Sequence, residues 1–158
     1  HTQAAGYGLT ASVSKAGRRL IMVLNGMKSS RERKREARKL IEWGFREYDN
    51  YKIFEKGETV ADIDVWLGKD TRLSAVIKDE IKLTVMRTDS EKVKTTVHYE
   101  EPIAAPVKRG QIVGTLKIKV PNQVIREYPL FANQSIEKLG VWGRIVAAVN
   151  YLVWGAGD

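Results

Sequence analysis

The first third of the chain shows short-period alternation followed by helical spacing of its apolar residues. Residues 7–14 and 19–26 are two predicted strands, and Gly17 lies in the turn between them, where a positive φ is needed. The pair predicts an antiparallel hairpin. The second strand is apolar on both faces, a pattern typical of the centre of a sheet, so we expect it to have neighbours on both sides.

Helical periodicity begins after the hairpin and predicts a helix from Ser30 to about Tyr48. Ser29 or Ser30 is the expected N-cap, because a serine hydroxyl accepts a hydrogen bond from a free backbone N–H. Residues 49–51 (Asp-Asn-Tyr) are expected to end the helix in a loop. One face of the helix carries the apolar or small residues Ala37, Leu40, Ile41 and Gly44.

From residue 51 to about 131 the pattern changes to short alternating runs separated by turn residues, which predicts a small all-β sandwich. We place a domain boundary at about residue 50. The predicted strands cover residues 63–66, 81–86, 92–99, 111–120 and 124–130. In the fourth of these, the inward-facing side chains are expected to be Ile112, Leu116, Ile118 and Val120.

The last stretch, residues 141–154, carries a continuous apolar stripe at helical spacing. Its members are Trp142, Ile145, Val146, Val149, Leu152 and Val153. One interpretation is a helix that docks on the protein's own core. The other is a helix in a membrane interface, favoured by two Trp and one Tyr near its ends. The stripe is too short, and too broken by Gly and Arg144, to span a bilayer.

Composition and charge narrow the choice of partners. The absence of cysteine and the presence of only two histidines argue against a zinc site, and no cofactor is expected. The net charge of +8 is concentrated at the start of the predicted helix. The clustered cations are Arg31, Arg33, Lys34, Arg35, Arg38 and Lys39.

This basic cluster has two interpretations. Cations at a helix N-terminus oppose the helix dipole, so the cluster is either a solvated face or includes a residue that faces an anionic ligand. Nucleic acid is the least favoured partner, because the β region lacks clustered aromatic residues for base stacking. We therefore expect no nucleic-acid binding.

Two Ser-x-x-Lys sequences match a nucleophile motif, Ser12 to Lys15 and Ser135 to Lys138. The first lies on a predicted strand, where residues three apart point to opposite faces. The second precedes the C-terminal helix, and matches of this kind arise by chance in a lysine-rich chain. Residues alone therefore give no complete catalytic site.

Several ordered motifs nevertheless resemble one family. They are His1-Thr2 followed by Ala-Gly-Tyr7, then Arg19-Leu-Ile, Gly26-x-Lys-Ser-Ser30, Leu40-Ile-Glu-Trp-Gly-Phe45 and Ala105-Pro-Val-Lys-Arg-Gly-Gln-Ile-Val-Gly-Thr-Leu116. Together they resemble the low-molecular-mass penicillin-binding proteins, the serine-type D-alanyl-D-alanine carboxypeptidases. The final apolar stripe is similar to that family's C-terminal membrane anchor.

The resemblance implies an α+β chain in three parts. Residues 1–50 would be the C-terminal strands and helix of a transpeptidase-like catalytic domain. Residues 51–132 would be an all-β sandwich, and residues 133–158 an amphipathic C-terminal helix. The implied location is the periplasm, peripheral on the inner membrane.

The implied reaction is acyl transfer: a serine attacks a peptidoglycan stem peptide, releases D-alanine and is freed by water, and β-lactams trap the same serine. The family's Ser-x-Asn and Lys-Thr-Gly motifs do not occur in the 158 residues, and neither of the two Ser-x-x-Lys matches is taken as its active-site motif. We therefore expect an inactive part of the enzyme: a proteolytic product, an engineered fragment or half of a nicked enzyme. The missing N-terminal part or a second copy of the chain is an expected partner.

The resemblance also implies roles for three residues. Arg33 would help to hold the terminal carboxylate of the substrate, for which a guanidinium supplies a bidentate fork. His1 and Thr2 would lie at the edge of the substrate cleft. The alternative function is a non-catalytic module for membrane tethering or protein interaction.

Overall fold

The structure, a computed structural model, describes residues 6–140. The chain folds into two compact units. The first contains the described residues up to Tyr51 together with Lys82–Glu91. The second contains Lys52–Ile81 and the described residues from Lys92 onward.

The first unit begins with the predicted hairpin, β1 (Tyr7–Lys15) and β2 (Arg18–Met27), which pair antiparallel. Gly17 has a φ of 74°, so the positive φ predicted for the turn is confirmed. The predicted central position of the second strand is wrong for the described residues, in which β2 pairs with β1 alone. One apolar face of β2 is also open: Ile21 and Val23 are 69% and 70% exposed.

The helix α1 (Ser30–Glu47) covers the other face of this hairpin. Ser29 is the N-cap: its hydroxyl accepts a hydrogen bond from Glu32 N, and the Glu32 carboxylate accepts one from Lys28 N at 2.7 Å. Ala37 and Gly44 are buried on the predicted face. A side chain at Gly44 would lie 2.9 Å from Leu20 Cδ1, so a small residue allows the close approach of helix and sheet there.

The loop predicted after the helix is instead the start of a strand, β3 (Tyr48–Phe54), and this prediction is wrong. Tertiary contacts of the loop-forming residues account for the difference. Asn50 Oδ1 accepts a hydrogen bond from Thr84 Oγ1 at 2.8 Å, and Asp49 pairs with Arg87. Thr84 belongs to β6 (Ile81–Met86), which forms a two-stranded sheet with β3. A short 3₁₀ helix, Arg87–Lys92, follows.

The second unit is built on a six-stranded sheet. Its strands are β4 (Thr59–Trp66), β5 (Arg72–Val76), β7 (Lys94–His98), β8 (Ile103–Ala104), β9 (Ile112–Lys119) and β10 (Arg126–Ala132). Their order in the sheet is β7-β9-β10-β5-β4-β8. The two edge strands are joined by only four residues, 99–102, which span at most about 18 Å. A flat sheet of six strands is about 24 Å wide, so this sheet is curled.

The core of the second unit lies on the inner face of that curled sheet. Leu116 and Ile118 are fully buried, as predicted. Ile112 is 62% exposed, so the prediction that it points inward is wrong. The physical reason is the irregular register at the start of β9, where the pairing shifts between Leu130 and Phe131 and Ile112 lies opposite Phe131.

The described part of the chain is mainly β-structure with one α-helix, α1. The predicted α+β arrangement with a C-terminal helix is therefore only partly matched, because residues 142–153 lie outside the described residues. Residues 133–140 belong to the second unit, and Ile136 is almost fully buried there. In residues 6–140 no helix combines the length and the apolarity needed to cross a membrane.

Candidate functional site

Arg33 lies on the first turns of α1, beside β1. Its Nη1 is 3.4 Å from the Gly8 carbonyl and its Nη2 is 3.5 Å from Ser30 Oγ, both long hydrogen bonds. Its guanidinium carbon lies 5.9 Å from the centre of the Tyr7 ring, a cation–π distance. The side chain is half-buried, so hairpin and helix together hold one cation at the start of β1.

Two other cations of the basic cluster, Arg35 and Lys39, form ion pairs with acids on the same helix. Arg35 Nε lies 2.7 Å from Glu36 Oε1, and Lys39 lies 3.5 Å from the same oxygen. The hydrogen bond from Arg35 lowers the pKa of Glu36 and raises the pKa of Arg35. These residues form an exposed charged surface on α1.

Arg33 differs from Arg35 and Lys39 in its partners. Arg31, Lys34 and Arg38 likewise form no ion pair among the described residues, but they are exposed, whereas Arg33 is half-buried. Within residues 6–140 no carboxylate lies within ion-pair distance of it, and its long hydrogen bonds leave most of its five donors available. Such a guanidinium has the geometry to accept an anion. His1 and Thr2, the other two predicted substrate residues, lie outside the described residues, as does the whole stripe 142–153.

The serines of the two Ser-x-x-Lys sequences bind groups other than a lysine. Ser12 Oγ accepts a hydrogen bond from Arg19 Nε at 2.7 Å, and Ser135 Oγ accepts one from Arg109 N at 2.9 Å. In the described part of the chain, no group of His, Asp and Glu side chains is arranged to hold a metal ion.

The second unit contains an open groove of about 640 Å³ that the sequence did not reveal. The end of β7, the start of β9 and the connection between β7 and β8 line it; Tyr99, Ile103 and the exposed Ile112 contribute side chains. The alternating pattern of residues 111–120 did not indicate this groove, because it predicts Ile112 on the inner face of the sheet. No nucleophile stands out among the lining residues, and we assign the groove no chemistry.

Comparison with known proteins identifies the family of the chain. Residues 48–138 match the family described as "Penicillin-binding protein 5, C-terminal domain". The chain is 32% identical over 145 residues to D-alanyl-D-alanine carboxypeptidase DacC of Escherichia coli (strain K12), covering 91% of this chain and 36% of that protein. It is 31% identical over 141 residues to carboxypeptidase DacF of Bacillus subtilis (strain 168), covering 89% and 36%.

Two solved structures are similar in fold to this chain. Penicillin-binding protein 5 from Haemophilus influenzae superimposes with a TM-score of 0.68 at 25% identity, covering 87% of this chain and 41% of that one. Carboxypeptidase DacD from Francisella tularensis gives a TM-score of 0.64 at 27% identity, covering 88% and 35%. The chain thus spans little more than a third of the length of the curated relatives. The resemblance seen in the sequence motifs is confirmed, and the chain belongs to the low-molecular-mass penicillin-binding protein family, with residues 48–138 as its penicillin-binding protein 5 C-terminal domain.

Proposed function

We propose that this chain is the C-terminal part of a D-alanyl-D-alanine carboxypeptidase, which trims peptidoglycan stem peptides by serine acyl transfer. The relatives that match most of the chain carry that activity in their names. Residues 1–50 would complete the catalytic domain, residues 51–132 would form the β-domain, and residues 141–154 would attach the enzyme to the membrane.

The observation that carries the proposal is the position of Arg33. Its half-buried guanidinium is oriented by Gly8 and Tyr7 and has no carboxylate among the described residues. A peptide that ends in D-alanine presents a carboxylate, which a guanidinium binds through two parallel hydrogen bonds. Arg33 would therefore anchor the substrate terminus and fix the distance between the scissile carbonyl and the nucleophile.

The open face of the hairpin supports the proposal that the rest of the catalytic domain packs against it. Ile21 and Val23 present two large apolar side chains on the face away from α1, and β2 has a free edge among the described residues. Exposed apolar surface and unpaired strand edges are normally covered in a finished domain. The serine nucleophile would lie in that remainder, so the 158 residues alone are expected to be inactive.

Arg33→Gln in the longer polypeptide that contains the nucleophile tests the substrate role. Loss of a charge-assisted hydrogen bond pair of about 1.5–3 kcal/mol lowers kcat/KM for a D-alanyl-D-alanine peptide about 10- to 100-fold. Arg38→Gln, on the exposed part of the same helix, is the matched control and stays near the parent value. Equal activities of the two variants would exclude the assignment of Arg33.

A fluorescent penicillin tests the origin of the chain. Intact mass and labelling of the purified material are measured together. A second polypeptide that co-purifies and takes the label identifies half of a nicked enzyme, in which the second partner is the catalytic part. Absence of both label and partner favours the alternative function, a non-catalytic module for tethering or protein interaction.

The proposed location is the periplasm, peripheral on the inner membrane through residues 141–154. The support is the amphipathic stripe from Trp142 to Val153, whose Trp residues suit the headgroup level. Flotation with anionic vesicles tests this: the whole chain binds, and a chain that ends at Gly140 does not. Binding by the shortened chain would place the attachment elsewhere.

A further inference from the structure

The last described residues are bonded to the turn that follows β4. Leu139 N donates to Leu67 O at 2.9 Å, and the backbones of Lys138 and Gly68 form an isolated antiparallel β-bridge. Lys69 N donates to Glu137 O at 2.9 Å. The described part of the chain therefore ends at a defined place in the second unit, beside the turn that follows Trp66.

This edge exposes large apolar side chains. We name it the chain-exit edge and define it as Trp66, Leu67, Lys138 and Leu139. Trp66 is 51% exposed, and Leu67 and Leu139 are half-buried. Leu67 has a φ of 57°, a conformation that disfavours a residue with a side chain by about 1–2 kcal/mol.

The turn itself is firmly held. Gly68 is buried, and a Cβ there would lie 2.7 Å from Asp70 O and 2.8 Å from Ile136 Cγ2. Close packing around Gly68 leaves no room for a side chain there and holds the backbone of the turn.

The distance from this edge to the apolar stripe is short. Only residues 140 and 141 separate Leu139 from Trp142, so their Cα atoms lie at most about 11 Å apart. The headgroup region of each leaflet is about 5–7 Å deep. If the stripe lies in the interface, this short connection therefore keeps Leu139, and with it the chain-exit edge, close to the headgroups.

We propose that the chain-exit edge is a second membrane contact, in which the Trp66 ring enters the headgroup region of an anionic bilayer. This rests on the proposed attachment of residues 141–154. An indole is favoured at that depth because its ring is apolar and its N–H is polar. Lys138 adds a cation for anionic headgroups, whereas the charge of Lys69 is paired with Glu137 at 2.6 Å. Two contacts fix the orientation of the β-domain on the membrane, where one would only tether it.

The test uses the whole chain and vesicles of phosphatidylethanolamine and phosphatidylglycerol. Trp66→Ala weakens vesicle binding about tenfold, because the exposed half of an indole no longer leaves water. Trp43→Ala is the matched control, since Trp43 lies in the first unit and is 42% exposed. Brominated lipids quench less tryptophan fluorescence in the Trp66→Ala chain than in the Trp43→Ala chain.

Three outcomes separate the hypotheses. Equal vesicle affinity of the two variants overturns the second contact, while the attachment through residues 141–154 still stands. Undiminished binding of a chain that ends at Gly140 overturns that attachment instead. A Trp66→Ala chain that unfolds more readily without vesicles, but binds them normally, shows that Trp66 stabilises the fold and does not contact lipid, which also overturns the proposal.

Discussion

Arg18 and Asp49 form an ion pair in which Nη1 lies 3.3 Å from Oδ1. The Arg18 side chain is only 14% exposed; its Nη2 donates to Tyr48 O at 2.5 Å, and its guanidinium lies over the Phe45 ring. The second Asp49 oxygen binds Arg87 at 3.0 Å. One carboxylate in β3 thus joins the first residue of β2 to the first residue of the 3₁₀ helix that follows β6.

Asp49→Asn is expected to destabilise the first unit by about 1–2 kcal/mol, because a largely buried guanidinium loses its countercharge. Urea unfolding followed by the fluorescence of Trp43, in a background where the other three tryptophans are replaced by phenylalanine, reports on this unit, since the Trp43 ring contacts Tyr48 edge-on at 5.3 Å. Glu47→Gln removes the exposed pair with Arg46 and serves as the control, with a change below about 0.5 kcal/mol. Equal midpoints for both variants would show that Asp49 contributes no more than a surface charge.

Leu116→Ala is expected to lower the free energy of unfolding of the second unit by about 2–5 kcal/mol, since the fully buried side chain leaves a cavity. Ile112→Ala, four residues earlier on the same strand, changes it by less than about 0.5 kcal/mol because Ile112 is mostly exposed. Circular dichroism in urea measures both. A large loss for Ile112→Ala would restore the inward orientation predicted from alternation.

Gly68→Ala is expected to destabilise the turn that follows β4 by about 1–3 kcal/mol, because the new methyl group meets backbone and buried side chains. Faster hydrogen exchange at Leu139 N, which is bonded to Leu67 O, reports the loosening. Gly140→Ala is the control, since no described atom lies within 4 Å of the position that its methyl group would take. Unchanged exchange in Gly68→Ala would mean that the turn yields to the methyl group.

The pair Lys69–Glu137 predicts a pH response. The hydrogen bond and charge of Lys69 lower the pKa of Glu137. A lowered carboxyl pKa gives a stabilisation that is present above the unfolded-state pKa and is lost as the pH falls through the folded-state pKa. The pair is exposed, so its effect on stability is small and falls with added salt.

The measurement is a carbon NMR titration of the Glu137 carboxyl. The expected titration lies below the usual glutamate range and moves up toward it in Lys69→Ala. Lys138→Ala is the control and leaves the Glu137 pKa lowered. An unshifted Glu137 in the parent chain would contradict the ion pair.

Local patterns in the sequence determined the hairpin, the Ser29 cap, the extent of α1 and the family. Each depends on residues close together in the chain: Gly17 takes a positive φ, and Ser29 and Glu32 satisfy neighbouring backbone groups. The ordered motifs are specific enough to identify the family.

Only the tertiary structure decided the features that depend on distant residues. Asp49 and Asn50 have loop propensities, yet they lie in β3, where Arg18, Arg87 and Thr84 bind their side chains. Alternation could not place Ile112, because a shift in register against β10 moves a side chain to the other face. Nor could composition distinguish Arg33 from the rest of its cluster. That distinction arises from β1, which is 25 residues away at Gly8 and approaches the helix only in the folded chain.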